Sequence, residues 1–216
     1  MKKFLVVSLL ALVPLLGCNK SDPTKPNGLK RYDHKNIHGV YRYSGNNRGT
    51  EEFFIADYGK YEAHVMNIEM FQRMIFLPRH ETNLTRLWDL YNVSPGNKQI
   101  RHQKSPLFDS LYHLSESDLP TPEQQFELIM KENLFKKQGV ETVNGYQATK
   151  WTQLDNGSAV WMAGTIMVKQ YLTAQDGFIQ MDLESLDTNW VVDTSVFSLP
   201  KDFPVIEVKP GEPLTQ

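Results

Sequence analysis

Residues 143–172 read VNGYQATKWTQLDNGSAVWMAGTIMVKQYL, and the turns inside this stretch decide the fold. Asn144-Gly145 is the dipeptide that most readily takes the positive φ angles of a tight two-residue hairpin turn. It joins a strand over Gly139–Val143 to one over Tyr146–Leu154. Asp155-Asn156-Gly157 turns the chain again, and Ser158–Ala163 and Thr165–Thr173 continue in β-branched and aromatic residues. Gln175-Asp176-Gly177 then leads into a strand over Phe178–Leu186. Successive strands joined by such short turns can pair only antiparallel, so the last third is a meander.

Upstream, Ile37–Tyr43 alternates and is followed by the turn Ser44-Gly45-Asn46-Asn47. Thr50–Ala56 is a second strand, ended at Asp57-Tyr58-Gly59-Lys60, and Tyr61–Ile68 is a third. Met70–Leu77 reads as a further strand closed by Pro78, although Met66, Met70 and Met74 also have the spacing of a helix face. Leu84–Val93 and Lys98–His102 are expected to form a hairpin around Ser94-Pro95-Gly96-Asn97. One helix is expected. Thr121 supplies the N-cap, Pro122 the first turn, and Glu123 an acid beside the positive helix end. Phe126, Ile129, Met130 and Leu134 form its apolar face, Lys136 and Lys137 suit its negative end, and Gly139 its left-handed C-terminal position. The fold class is mainly β (α+β): a curved antiparallel sheet or half-open barrel of about eight to eleven strands, with one or more helices packed on or in it.

The meander resembles the late strands of the periplasmic lipoprotein-carrier (LolA/LolB-like) family. The matching residues are Gly145, Tyr146, Trp161, Gly164 and Lys169. The early Tyr58-Gly59-Lys60-Tyr61 and the late Phe197-Ser198-Leu199-Pro200 fit the same layout. The resemblance implies a half-open barrel around helices, with an apolar cavity for acyl chains or another greasy ligand. Met66, Met70, Met74, Phe76, Trp88, Trp161, Met167 and Met181 are the candidate lining. Flexible, polarizable methionines suit a surface that must fit variable ligands. The alternative is that these residues are ordinary core.

The N-terminus carries a second resemblance. Lys2 and Lys3 precede an apolar run, Phe4–Leu16, which is shorter than the roughly 20 residues a membrane-spanning helix needs. The run ends in Leu15-Leu16-Gly17-Cys18, which resembles the lipobox of bacterial lipoproteins. That implies cleavage after residue 17 and, on Cys18, a diacylglyceryl group and an N-terminal acyl chain such as palmitate. Two or three chains hold a protein firmly to a bilayer where one does not. Cys18 is the only cysteine, so the domain folds without disulfides. Asn19 in place of aspartate implies the outer membrane, facing the periplasm, in a diderm source. Residues 18–30 form the lipidated cysteine and a polar tether, 31–208 a single domain, and 209–216 a loose tail.

Of 23 basic residues, Lys2 and Lys3 leave with the signal, so 21 face 25 acidic ones and the formal charge is −4. With no basic stripe, nucleic acid is not an expected partner. His34 and His38 have metal-pair spacing, but they lie on a segment leading into a strand, and no metal or cofactor is expected. His64, His80, His102 and His113 stand isolated in the sequence. Glu51 and Glu52, adjacent on a strand, point to opposite faces, one solvated and one at a rim. No hydrolase elbow, zinc-protease, phosphate-loop or dinucleotide motif occurs, and an enzyme is not expected. Two functions remain: a membrane-anchored lipoprotein that binds a lipid or acyl chain in the concave face of its sheet, or a docking subunit of a cell-envelope complex that uses the same sheet to bind an envelope protein.

Overall fold

The computed structural model describes residues 29–209, apart from 73, 106–113, 115–117 and 175, together with 212–214. The lipobox and Cys18, most of the tether, and His113 therefore lie outside the described residues. Twelve strands form one sheet: β1 (Ile37–Gly45), β2 (Asn47–Ala56), β3 (Tyr61–Gln72), β4 (Ile75–Arg86), β5 (Asp89–Ser94), β6 (Gln99–Lys104), β7 (Phe135–Val143), β8 (Tyr146–Gln153), β9 (Ala159–Ala163), β10 (Ile166–Ala174), β11 (Gly177–Asp187) and β12 (Val205–Glu207). The order across the sheet is β12-β6-β5-β4-β3-β2-β1-β11-β10-β9-β8-β7, open at both ends. The expected curved, mainly antiparallel sheet is therefore what the chain forms. Its twelfth strand has three residues, pairs parallel to β6, and follows no periodicity. Helix α1 (Pro122–Glu132) is the one α-helix among the described residues.

The hairpins follow their turn residues. Asn144 and Gly145 both have positive φ, 51° and 83°, as the primed turn requires. Two other strand boundaries differ from expectation. Met70–Leu77 is not one strand: the chain turns at Met74, whose φ is 73°, so residues 70–72 belong to β3 and 75–77 to β4, which runs on through Pro78; the two strands pair over twelve residues, with Pro78 opposite Glu69. Proline is tolerated there because β5 pairs with β4 only from Thr82 onward, so residues 75–81 lie at an edge. Leu84–Val93 is not one strand. It turns at Leu87, whose φ is 57°, so that residues 84–86 belong to β4 and 89–93 to β5.

Helix α1 begins as expected. The Thr121 hydroxyl accepts from the Gln124 backbone N–H, and the Gln124 side chain accepts from the Thr121 N–H, a reciprocal cap. It ends earlier than expected. The Asn133 side chain donates to the Ile129 carbonyl (2.8 Å), Leu134 takes a φ of 61°, and Phe135 opens β7. Lys136, Lys137 and Gly139 are thus strand residues, and Leu134 is exposed. Phe135 packs with Met130, Trp151, Val160 and Met162, and burial of that ring sets the boundary.

The largest core cluster joins Ile37, Tyr41, Phe53 and Ile55 of β1 and β2 to Ala148, Ala159, Trp161, Val168, Met181 and Leu183 of β8–β11. The sheet curls toward this face: Asn144, at the β7–β8 tip, donates to the carbonyls of Val168 and Leu183 on β10 and β11. Phe53 lies over Gly39 directly opposite on β1, where an added Cβ would come within 2.4 Å of the ring, and stacks on Tyr41 at 4.6 Å. On the other face of β2–β6, Phe54, Ala63, Leu84, Val93 and Ile100 are covered by the segment after β11, through Trp190, Val196, Phe197, Leu199 and Phe203.

Candidate functional site

The structure does not bring the eight candidate lining residues together. Trp161 and Met181 are buried in the central cluster, and Met167 packs beside it, its carbonyl accepting from the Tyr41 hydroxyl (3.0 Å). Trp161 and Met181 fill the face of the central cluster, whereas Met167 stands opposite Met162 and packs also on the cluster beneath α1. Trp88 is buried at the β4–β5 turn, where its carbonyl accepts from the Ser105 N–H. Met66 and Met70 sit on β3 among polar groups: Met66 is opposite Glu81, and the Met70 sulfur accepts from Arg79. Phe76 packs on Phe71 and beneath the Arg48 guanidinium, while Met74, 84% exposed, stands at the β3–β4 tip.

The cavities lie elsewhere, along the segment that follows β11. A cleft of about 370 Å³ has sheet walls of Phe54, Val65, Leu84 and Val93 and an outer wall of Val196, Pro200 and Phe203. A neighbouring cleft of about 730 Å³ lies where Ala56, Tyr61 and Arg86 meet Val192 and Phe197. Arg86 fixes the segment between them, its Nε (3.0 Å) and Nη2 both donating to the Phe197 carbonyl. Trp190 packs on Phe54, at 5.4 Å between rings. Strand parity could have shown part of the sheet wall of the first cleft, because Glu52 alternates with Phe54 on β2 and Thr82 with Leu84 on β4. The outer wall carries no periodicity and could not be read.

A buried charge cluster lies on the opposite face, and here two expectations are corrected. Glu51 is neither solvated nor at a rim; it is buried, and His64 is not isolated. The register sets His64 opposite Phe53 and Glu62 opposite Ile55, so one face holds all four with Glu51. His64 Nδ1 is 2.7 Å from Glu51, and Nε2 is 3.9 Å from Glu62. The Tyr43 hydroxyl donates to Glu51, and Arg31 (2.5 Å) and Tyr32 (3.2 Å) donate to Glu62. Burial alone would lower the His64 pKa, but the two carboxylates push it up to about 10. Burial would raise both glutamates, yet His64, Tyr43 and Arg31 hold them below the usual carboxylate range. These groups are engaged with one another and line neither cleft.

His102 is likewise not isolated, lying between Asp89 and Glu207. Among the described residues, no three His, Cys, Asp or Glu side chains are placed to hold a metal ion, and no helix is long and apolar enough to cross a membrane.

No family model and no curated protein matches the chain. Solved structures do. An uncharacterized conserved protein from Thermus thermophilus superposes with a TM-score of 0.50 at 6% identity, over 82% of this chain and 92% of that one. LprF from Mycobacterium bovis gives 0.34 at 10% identity over 74% and 88%, and a domain assigned to outer membrane lipoprotein sorting from Vibrio parahaemolyticus gives 0.31 at 11% over 77% and 91%. At 6% identity the likeness to the Thermus thermophilus protein is one of fold alone. The class defined here is an open, curved-sheet protein with a cleft held between one sheet face and a crossing segment.

Proposed function

We propose that the protein is a cell-envelope lipoprotein, anchored through lipid on Cys18, that binds a hydrophobic ligand such as an acyl chain without catalysis. The reading places the ligand in the cleft between β2–β5 and residues 196–203, not among the eight methionine and aromatic residues singled out by sequence. The cleft carries the argument: its opposed apolar walls and its volume of about 370 Å³ suit a ligand pocket, which typically runs from about 300 to 1,000 Å³. Native mass spectrometry of residues 19–216, purified without detergent, tests it. Extra mass that resolves into fatty acid or phospholipid is expected, and Val65→Trp, which fills the cleft, should remove it. A clean apo mass with no uptake of added oleate or phospholipid rejects the reading. Anchoring is tested separately, since Cys18→Ser should release the protein from membranes or leave its signal uncleaved.

A second reading, a docking subunit of an envelope complex, is favoured by the β3–β4 tip. Met74, Ile75 and Leu77 are all exposed there beside the Phe71–Phe76 pair. Runs of apolar side chains left in water mark contact surfaces.

A further inference from the structure

The two clefts lie on one continuous floor. Three rungs of the β2–β3–β4 register cross it on the same face, because alternate residues of a strand share a face. Glu52, Val65 and Thr82 make the first rung, and Phe54, Ala63 and Leu84 the second. Ala56, Tyr61 and Arg86 make the third. Residues of the first two rungs line the smaller cleft, and those of the third line the larger. Ser198, in the crossing segment, lines both. The first rung and the third are about 13 Å apart along the strands.

Charge is spread unevenly along that floor. Among the described residues the smaller cleft has one charged wall residue, Glu52, which pairs with His38 (2.8 Å). The larger cleft has Lys35, Asp57 and Arg86. Asp57 is engaged by Lys60 (2.8 Å). Asp89 stands opposite Arg86 in the β4–β5 register, but Lys104 (2.6 Å) and His102 (2.8 Å) hold its carboxylate. Neither Arg86 nor Lys35 forms an ion pair among the described residues. Arg86 donates through Nε and Nη2 to the Phe197 carbonyl, which carries no charge, and its Nη1 has no acceptor among the described residues. Tyr61 and Thr194 bring hydroxyls to the same cleft. A half-buried guanidinium that faces no carboxylate, at the end of an apolar groove, is suited to an anion.

We propose that the ligand is a single-chain amphiphile with an anionic head group, its tail in the smaller cleft and its carboxylate or phosphate on Arg86 and Lys35 in the larger. This rests on the reading of the cleft as a lipid site, to which it adds a direction and a charge. Glu52 sets the same direction from the far end, where a negative head is repelled and a methyl end is not. A volume of about 370 Å³, near the lower end for ligand pockets, suits one chain. An uncharged chain of equal length binds through its tail alone. A free fatty acid and a lysophospholipid share this chemistry.

Photo-crosslinking tests the assignment on the full chain as the cell processes it, held in neutral phosphatidylcholine vesicles at about pH 8, where a carboxylate is ionised. A diazirine-bearing oleate labels the protein, and mass spectrometry locates the labelled peptides. Unlabelled oleate and oleyl alcohol then compete for the cleft. The ratio of their half-displacement concentrations is compared between wild type and variants, so that partitioning into the vesicles cancels. Arg86→Gln should weaken oleate roughly tenfold relative to oleyl alcohol, the scale of a charge-assisted hydrogen bond. Arg86→Lys should keep most of the preference. Lys35→Gln, at an exposed side chain, should cost oleate roughly two- to threefold. If 1-oleoyl lysophosphatidylglycerol also displaces the label, and is weakened by Arg86→Gln as oleate is, the head group is a lipid phosphate. Displacement by oleate without the lysophospholipid makes it a free fatty acid. If Arg86→Gln weakens oleate and oleyl alcohol equally, the arginine only braces the crossing segment, and the anionic head is rejected while the apolar cleft stands. If no peptide of β2–β4 or of residues 192–203 is labelled, the cleft is not a lipid site and the proposal falls with it.

Discussion

The face toward which the sheet curls has two characters. Across β1, β2 and β8–β11 it is a closed apolar core, with Phe53 pressed onto Gly39 and Trp161, Val168 and Leu183 beside it. From β3 onward the same face becomes polar. Glu62 and His64 occupy the β3 positions next to Ile55 and Phe53, and Arg79, Glu81, Asn83 and Asn92 continue the pattern, with Asn92 donating to both Glu81 and Asn83. One half is held by close packing and the other by charge pairing and by chain segments laid across it. The two kinds of cohesion respond differently to mutation and to pH.

Phe53→Ala should do the most harm, about 4 kcal/mol, because a fully packed ring leaves a cavity that Gly39 cannot fill. Chemical denaturation should find that loss unchanged across pH. His64→Gln should cost about 2–3 kcal/mol, since it leaves Glu51 and Glu62 buried without their shared cation. Here the loss depends on pH. The folded His64 pKa, about 10, lies above its ordinary value near 6.5. Its contribution is therefore complete below about pH 6.5 and fades as pH rises toward 10. The depressed glutamates contribute above their ordinary range, near pH 4, and lose that contribution as acid protonates them. Wild-type melting temperature should thus fall at both extremes, and His64→Gln should flatten the alkaline limb. If that limb persists unchanged, the cluster does not stabilise this half of the sheet.

Arg86→Gln should be milder, about 1–2 kcal/mol, because it loses the fork on the Phe197 carbonyl. Its larger effect should be on the cleft, read as weaker retention of oleate. Thr121→Ala should cost about 1 kcal/mol through the helix cap, and leave both clefts untouched.

Much of the first half of this comparison was legible in the sequence. Asn144-Gly145 and Asp155-Asn156-Gly157 mark the late hairpins, and Thr121-Pro122 marks the helix start, because these signals act over a few residues. The helix end misled because Lys136 and Lys137 suit a C-terminus as well as a strand, and burial of Phe135 settles which. Pro78 misled because its tolerance depends on how far β5 extends, which no local pattern records. The second half was mostly hidden. Glu51 and His64 are thirteen residues apart and meet only through the β2–β3 register. The one available sign was parity: Glu51 shares its face of β2 with Phe53 and Ile55, where a solvated carboxylate does not belong.

An open sheet also has to survive its own edges. β7 ends one side with Lys136, Lys137, Gln138 and Glu141 exposed along it and a bulge between Lys137 and Gly139, features that discourage a second chain from adding a strand. The outer margin of β4 has no such fence. From Ile75 to Glu81 it faces no β5 partner, it exposes Ile75 and Leu77, and only Pro78 interrupts its row of hydrogen-bonding groups. Self-association of the purified protein, as oligomers or as fibres, would be expected to start at that margin, and Pro78 is the residue standing in its way.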